Sequence, residues 1–346
     1  MKRKIGMVLP TWGQECGIAE YTKHLINNTT SDNIEFVIIT SIQQNFISVI
    51  KQNNISLVHF QYEYSLYPIE LLKTVMKELM DLDIPIVTTL HTWSDDLEFN
   101  KYNQVVAENS SRVIVHSDEM KRQCIIWGFP SENLVVIPMG TRSFLLKTAK
   151  QVRRVNHIDG EPAIGFFGFP FPHKGIDNLI EALNQLRKTY PNIKGYFLSH
   201  YPNYLKNHGT YSSFLQHLQF KFSRNKHLIW IKDYLDEKQI VQFMHAMDIN
   251  ILPYKDHNQK GTSAAVKMLL AAKKPIITTD LLYFADLENE VYKMKGEDAN
   301  TIKRALNHLI NNPWLQQKLV ESGNDYLREK NWNNIGKEYF EFYNSL

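Results

Sequence analysis

The sequence predicts an α/β protein of two Rossmann-like, doubly wound domains that face a cleft. Short apolar runs alternate with helix-length segments along all 346 residues, as in parallel strands that are buried on both faces. The alternation also restarts midway, and this length is typical of two domains. The first runs are KIGMVLP, IEFVIIT, ISLVHFQ, IPIVTTLH, RVIVHS and NLVVIP, and the later ones are AIGFFGF, IKGYFLS, HLIWIK, INILPY and KPIITTD.

A polar, basic stretch at residues 141–161 separates the two sets of strands. We therefore predict a first domain over residues 1–155 and a second over residues 156–325. In the second, a helical stripe of apolar residues comprises Ile176, Leu179, Ile180, Leu183 and Leu186. The chain is helical in pattern and rich in aromatic residues from Pro313 onward, so we expect residues 326–346 to form a helix that docks back on the first domain.

Composition excludes several classes of function. The formal net charge of +3, with basic and acidic residues interspersed, is too mild for a nucleic-acid partner. The two cysteines, Cys16 and Cys124, suit a reducing compartment, and the apolar run near the start stops at Pro10, too short for a signal peptide. We expect a cytoplasmic protein. The basic residues between the two domains either form a solvated linker or make peripheral contact with the inner membrane face, and both interpretations stay open. These residues are Arg142, Lys147, Lys150, Arg153 and Arg154.

Ligands of open α/β sheets bind at the carboxyl ends of the strands, so candidate residues follow the strands. After the first strand, Gly13 and Gly17 flank a loop that opens a helix, which suits either a phosphate or a simple turn. Gln61 and Glu63 follow the third strand among aromatic residues. His91 closes the fourth strand, where it either orients a substrate hydroxyl group or is an ordinary surface histidine.

The later strands are followed by a second group of candidates. His173, Lys174 and Gly175 stand at a helix start, where a lysine and free N–H groups favour a diphosphate, although a solvated lysine is the alternative. His200 follows the next strand with the same two interpretations. Aromatic residues at strand ends either flank a nucleotide or simply pack, and Tyr234 and Tyr254 are of this kind.

The stretch HNQKGTSAAVKMLLAAKKPIITTD, residues 257–280, contains a loop, a helix and a buried strand. Gln259, Gly261, Thr262 and Ser263 precede the helix. Hydroxyl groups at a helix start favour capping, and capping and phosphate binding use the same N–H donors. We expect the hydroxyl groups to cap this helix in the empty protein. Asp81–Asp83 forms a polar turn rather than a metal site, and we predict no bound metal.

Taken in order, these stretches resemble a retaining glycosyltransferase of the GT-B fold in the large family four. The resemblance covers nearly the whole chain. It rests on ECGIAEYT, VHFQYEYSLYP, TTLHTW, VIVHSDEM and VVIPMG in the first half, and on GFFGFPFPHKGIDNLIEAL, WIKDYLDEKQIVQFMHAMDINILPY and AAKKPIITTD in the second. It implies that the first domain holds the acceptor and the second a nucleotide-sugar donor, with no cofactor beyond this co-substrate.

The resemblance also implies roles for individual residues. His91 would act at the transferred sugar and Lys174 on the donor diphosphate, and we name both as catalytic. Acceptor binding is assigned to Glu63 and Trp93. Donor binding is assigned to Gly17, His173, Lys174, His200, Tyr234, Tyr254, Gln259, Gly261, Thr262 and Ser263.

The chain departs from the family pattern at three places. Phe169 follows Gly168 where many members have arginine, and His173 is the candidate to replace part of that charge. Lys260 and Met268 occupy the positions of two glutamates that usually contact the sugar and the ribose. A branch that lacks these glutamates has a Gln and a cluster of Ser, Gly and Thr here, and this chain is similar to that branch.

We therefore predict transfer of a hexose from a nucleotide-diphosphate sugar to a glycan, a lipid-linked sugar or another hydroxyl acceptor, without a metal ion, in surface polysaccharide or glycoconjugate synthesis. The missing glutamates keep two alternatives open. One is a catalytically silent GT-B binding subunit for a partner enzyme, and the other is a nucleotide-sugar epimerase.

Overall fold

The computed structural model describes residues 2–43, 45–201 and 209–346. The chain divides into two compact units. The first unit consists of Met1–Gly140, Asn258–Thr262 and Lys330–Leu346, and the second of Thr141–His257 and Ser263–Glu329.

The first unit contains a parallel sheet with strand order β2-β1-β3-β4-β6-β7 and a short antiparallel pair, β5 with β12. Its strands are β1 Arg3–Val8, β2 Ile34–Ile39, β3 Leu57–Tyr62, β4 Ile86–Leu90, β5 Trp93–Ser94, β6 Arg112–Val115, β7 Leu134–Val136 and β12 Gln259–Lys260. Its helices are α1 Gly17–Thr29, α2 Phe46–Gln52, α3 Ile69–Asp81, α4 Asn100–Asn109, α5 Asp118–Ile126 and α13 Trp332–Asn344, with 3-10 turns at Leu97–Phe99 and Ser131–Asn133.

Strands β3 and β4 are buried along their whole length, as their continuous apolar runs predict. The order of connection reverses between β1 and β3, which lie side by side. Such a reversal opens a crevice at the carboxyl ends of the strands, where ligands of doubly wound sheets bind.

Helix α13 packs on α1 within the first unit. The backbones of the two helices approach closely at Gly336, which has no side chain. A β-carbon on Gly336 would lie 2.3 Å from the Asn28 carbonyl oxygen of α1. Tyr339 and Tyr343 on α13 are fully buried. Full burial of a large side chain contributes about 1.5–3 kcal/mol, so α13 is part of the core of this unit.

The second unit has a parallel sheet with strand order β10-β9-β8-β11-β13-β14, and its order reverses between β8 and β11. Its strands are β8 Ala163–Phe167, β9 Lys194–Leu198, β10 Leu228–Ile231, β11 Ile249–Leu252, β13 Ile276–Thr279 and β14 Tyr292–Met294. Its helices are α6 Ala149–Val155, α7 Ile176–Leu186, α8 Gly209–Arg224, α9 Glu237–His245, α10 Ala264–Ala271, α11 Ala299–Ile310 and α12 Pro313–Glu329, with 3-10 turns at Pro172–Lys174 and Leu282–Phe284.

Helix α7 buries the predicted stripe of apolar residues in the core of the second unit. The predicted α/β class with two doubly wound units is therefore confirmed. Across the described ranges, no helix combines the length and the apolar character that crossing a bilayer requires.

Candidate functional site

Lys174 lies at the crevice of the second unit, where β8 and β11 are neighbours. Its ammonium nitrogen is 3.8 Å from the centre of the Tyr254 ring, and Tyr254 follows β11. Gly175 makes this approach feasible: its φ is +70°, and a β-carbon there would lie 1.8 Å from the Pro253 carbonyl oxygen. Among the described residues, Lys174 has no carboxylate partner, so its charge is held by an aromatic face and is available to an anion.

Ser263 immediately precedes α10, but its side chain accepts no hydrogen bond from the helix N-terminus. Its hydroxyl group instead lies 3.3 Å from the Tyr254 hydroxyl group. The expectation that Ser263 caps this helix in the empty protein is therefore wrong: a nearby phenol, which the sequence does not place, binds the hydroxyl group. The Ser263 side chain thus leaves the first N–H groups of α10 uncapped, and such groups attract anions.

His173 is neutral at pH 7. Burial, together with the positive charge of Lys174, lowers the pKa of its imidazole to about 3. Its ring stacks on Phe171, with the ring centres 5.8 Å apart. In the unligated protein His173 therefore adds no positive charge beside Lys174.

His200 and Tyr234 lie together at the ends of β9 and β10, with their ring centres 5.3 Å apart. The Lys232 carbonyl oxygen is 2.9 Å from His200 Nδ1, and the Phe169 ring lies 6.5 Å from the His200 ring. Tyr234 is 48% exposed. These rings offer stacking surfaces for a planar group at the same edge of the sheet as Lys174.

In the first unit, the loop between β1 and α1 lies at the reversal point of that sheet. It folds through short turns, such as the one in which the Cys16 N–H group donates to Gln14 O at 2.8 Å, and Gly13 has a φ of +81°. Gly17 is exposed, and a β-carbon there would meet no atom within 4 Å. This helix start is open to a ligand, which is the placement that the sequence predicts for Gly17.

His91 follows β4, and a buried polar network holds it. Its Nε2 atom lies 2.8 Å from Gln61 Oε1 on β3, and its ring meets the edge of Tyr21 at 4.9 Å. Burial, followed by the neighbouring His116 and His59 rings, holds the pKa of His91 well below its usual value. His91 is therefore a neutral imidazole at physiological pH.

The segment that precedes α10 crosses the chain just after His91. Backbone pairing joins Gln259 to Ser94 and Lys260 to Trp93. Gly261 contacts the His91 carbonyl oxygen so closely that a β-carbon on Gly261 would lie 2.2 Å from it. We call Asn258–Thr262 the strap.

Glu63 and Trp93, the predicted acceptor residues, are both engaged within the first unit. The Glu63 carboxylate accepts the Ser65 N–H group at 3.0 Å and the Ser65 hydroxyl group. Trp93 is 1% exposed, and its buried indole N–H group has no hydrogen-bond partner in the described part of the chain. Their assignment to an acceptor stays a prediction.

The two positions that usually hold glutamates have different surroundings here. Lys260 lies in the strap, opposite Trp93. Met268 on α10 packs against the hydrophobic core of the second unit. Met268 therefore makes no polar contact of the kind a glutamate would make.

Sequence reasoning missed His59 behind His91, and it placed Gln61 after the third strand, whereas Gln61 lies within β3. His59 and Gln61 alternate along β3, which places both on one face of the strand, and both are 0% exposed. Polar residues at alternate positions of an otherwise apolar strand were the available signal.

Two family models account for most of the chain. The model described as Glycosyltransferase Family 4 matches residues 17–142, and Glycosyl transferases group 1 matches residues 148–326. The second match alone covers more than half of the sequence. The chain belongs to the group 1 glycosyl transferases. The family predicted from its motifs is confirmed, and glycosyl transfer is the activity of this enzyme.

Individual relatives of this glycosyltransferase are distant. An uncharacterized glycosyltransferase of Methanocaldococcus jannaschii is 22% identical over 300 residues, which are 82% of this chain and 74% of that protein. HepE of Anabaena, solved in complex with UDP and glucose, is 13% identical with a TM-score of 0.78, and the match covers 99% of this chain and 100% of that one.

Sucrose-phosphate synthase from Thermosynechococcus elongatus is similar to the same extent, with 15% identity, a TM-score of 0.78 and coverage of 99% of both chains. At these identities the likeness shows the fold, and it confirms the predicted GT-B architecture of this glycosyltransferase.

Proposed function

We propose that this glycosyltransferase takes a hexose from a uridine diphosphate sugar, with UDP-glucose as the first candidate, and transfers it to a sugar hydroxyl group. The observation that carries the proposal is the Lys174 ammonium group, held 3.8 Å from the Tyr254 ring at the crevice of the second unit. A cation at this edge of a doubly wound sheet suits a diphosphate. The structures of HepE with UDP and with UDP-glucose support the choice of donor.

The second unit has groups that suit the base and the diphosphate of such a donor. The rings of His200 and Tyr234 suit the base, and Lys174 with the open N–H groups of α10 suits the diphosphate. In the reaction, the bond from the sugar C1 atom to the β-phosphate oxygen breaks and UDP leaves. The acceptor oxygen forms the new bond to C1 and its proton is released. His91 is assigned to a hydroxyl group of the transferred sugar, as the family resemblance implies.

Retention and independence of a metal ion are parts of the same proposal. Retention rests on the family resemblance, and UDP-glucose, whose sugar is in the α configuration, would give an α-linked product. Metal independence is supported by Lys174 and the α10 N-terminus, which can neutralise the departing diphosphate. The anomeric coupling in the NMR spectrum of the product tests retention, and unchanged turnover in EDTA tests metal independence.

We extend the proposal to a glycan or lipid-linked acceptor in surface polysaccharide synthesis, with peripheral contact to an anionic membrane. Ion pairs occupy two of the basic residues considered for that contact: Arg153 bonds Asp248 at 2.9 Å, and Arg142 bonds Glu237. Lys147, Lys150 and Arg154 are therefore the residues to exchange. Loss of cosedimentation with anionic vesicles in the triple variant supports the contact, and unchanged cosedimentation refutes it.

Thermal-shift measurements with UDP, GDP, ADP and TDP sugars test the donor class. A ligand that binds only the folded state at 100 times its Kd stabilises it by about 2.7 kcal/mol, so the cognate nucleotide raises Tm. Lys174→Ala should weaken UDP binding by about 10- to 100-fold, since a hydrogen bond to a charged group contributes about 1.5–3 kcal/mol. Lys318→Ala is the matched control, because Lys318 also lies over an aromatic ring, that of Trp314 on α12.

The outcomes separate the alternatives. Equal UDP affinity in Lys174→Ala and wild type would remove Lys174 from the diphosphate site. Binding of a nucleotide sugar without transfer to any acceptor would favour the silent binding subunit. A changed nucleotide sugar formed without an acceptor would favour the epimerase.

A further inference from the structure

The side chain of Gln61 forms a hydrogen bond with the ring of His91. Backbone pairing of β3 with β4 brings the two together: the His91 N–H group donates to Tyr62 O at 2.9 Å, and the Gln61 side chain then reaches His91 Nε2 with its Oε1 atom at 2.8 Å. Gln61 is 0% exposed, so water cannot replace this contact. The bond therefore determines which ring nitrogen of His91 carries the hydrogen.

Met7 fixes the orientation of the Gln61 amide. The amide nitrogen lies 3.2 Å from Met7 Sδ, and a thioether sulfur accepts hydrogen bonds but has no hydrogen to donate. The NH₂ group must therefore face Met7, and the carbonyl oxygen must face His91. Because a carbonyl oxygen only accepts, His91 Nε2 must carry the hydrogen.

The opposite ring nitrogen then has a lone pair to offer. Within the described residues, His91 Nδ1 has no hydrogen-bond partner, and the side chain is only partly buried. A neutral imidazole protonated on Nε2 can accept a hydrogen bond at Nδ1 from a hydroxyl group.

We infer that Gln61 is a positioning residue that fixes His91 as the Nε2–H tautomer and so presents Nδ1 as an acceptor to a hydroxyl group of the transferred sugar. This inference rests on the proposed function for the identity of the hydroxyl group. It adds the atom of His91 that acts and the residue that selects it.

Buried groups behind Gln61 keep it in place. The Gln61 amide nitrogen lies 3.4 Å from His59 Nε2, and His59 is bound at 2.7 Å to the Thr89 hydroxyl group and at 2.6 Å to the Tyr343 hydroxyl group of α13. Burial lowers the pKa of His59 to about 3, so this support is uncharged at neutral pH. The side chain of Gln61 is therefore held from β1, β3 and α13 together.

NMR of the protein labelled with ¹⁵N-histidine tests the tautomer directly. The chain has 13 histidines, and the His91 signals are those that disappear in His91→Asn. Wild type should show a protonated Nε2 and an unprotonated Nδ1. In Gln61→Met, which keeps the length but cannot accept, a buried N–H group loses its partner, so a form protonated on Nδ1 should appear.

Activity tests which atom acts. The amide of asparagine can replace Nδ1 of a histidine, and that of glutamine can replace Nε2. His91→Asn should therefore retain at least tenfold more kcat/KM than His91→Gln. Gln61→Met should lower kcat/KM by about tenfold, which corresponds to one buried hydrogen bond. Met7→Leu removes the acceptor of the Gln61 amide and lets that amide rotate by half a turn. The kcat/KM of Met7→Leu should therefore lie between those of Gln61→Met and wild type.

A wild-type spectrum with Nδ1 protonated would overturn the inference whether or not the enzyme uses UDP-glucose. So would a Gln61→Met protein with the wild-type tautomer and wild-type kcat/KM. A general loss of packing would lower Tm without changing the tautomer. Failure of the proposed donor, in contrast, would leave the predicted spectrum intact.

Discussion

Replacing Gly261 by alanine tests whether the close contact between the strap and His91 matters for catalysis. The added β-carbon would lie 2.2 Å from the His91 carbonyl oxygen and 3.6 Å from the Thr92 α-carbon. A separation under 3.0 Å is essentially never seen, and the atom it meets is backbone rather than a flexible side chain. The strap or the end of β4 must therefore move.

The magnitude follows from that displacement, which is roughly 1 Å. Overpacking of this kind destabilises a fold by about 1–3 kcal/mol, and Tm of a domain of this size falls by about 2–4 °C for each kcal/mol. A misplacement of about 1 Å near a reacting centre lowers the rate by about 100-fold. We therefore expect Gly261→Ala to lose about 100-fold in kcat/KM and to remain folded at 25 °C.

Release of UDP from UDP-glucose in the presence of acceptor measures kcat/KM, and differential scanning calorimetry measures Tm. Gly209→Ala is the matched control, because a β-carbon at Gly209 meets nothing within 4 Å. If Gly261→Ala kept wild-type kcat/KM and Tm, the contact between the strap and His91 would have no role in positioning.

Three further predictions concern stability. Burial lowers the pKa of His59 from 6.5 to about 3, so the stability that the neutral ring contributes is full above pH 6.5 and is lost as the pH falls toward 3. Between pH 8 and pH 5, the free energy of unfolding measured in urea should therefore fall by about 2 kcal/mol less in His59→Gln than in wild type. Lys267→Met should cost about 3–5 kcal/mol because it leaves the buried Asp286 carboxylate without its cation, and adding Asp286→Leu should recover most of that loss; equal stability of both variants would contradict a tight pair. Gly175→Ala should lower Tm more than any other alanine exchange here, since it combines a φ of +70° with a contact of 1.8 Å to Pro253 O, and a Tm like that of Gly209→Ala would refute this.

The strands and the main helices could be predicted because their signals are local. The run KIGMVLP gives β1, and the stripe from Ile176 to Leu186 gives α7 with its bounds. The pairing of β5 with β12 could not be predicted, because each strand has two residues and they lie far apart in sequence. Their pairing depends on tertiary structure rather than on strand propensity.

The candidate site could be predicted as strand ends but not as contacts. The sequence places Lys174 and Tyr254 after two strands, and the strand order makes those strands neighbours. It does not show that Tyr254 takes the Ser263 hydroxyl group away from the helix cap, nor that burial leaves His173 neutral. Both effects depend on distances of a few ångströms between residues that lie far apart in the chain.

The first unit is built from segments that lie far apart in the chain, and this affects how it forms during synthesis on the ribosome. Helix α13 completes the hydrophobic core around His59, yet about 190 residues separate Gly140 from Lys330. At about 5–20 residues per second, translation of that interval takes roughly 10–40 s. During this time the second unit is being translated, and the aromatic and polar groups that α13 later buries stay exposed. The first unit to be translated is therefore the last to be completed.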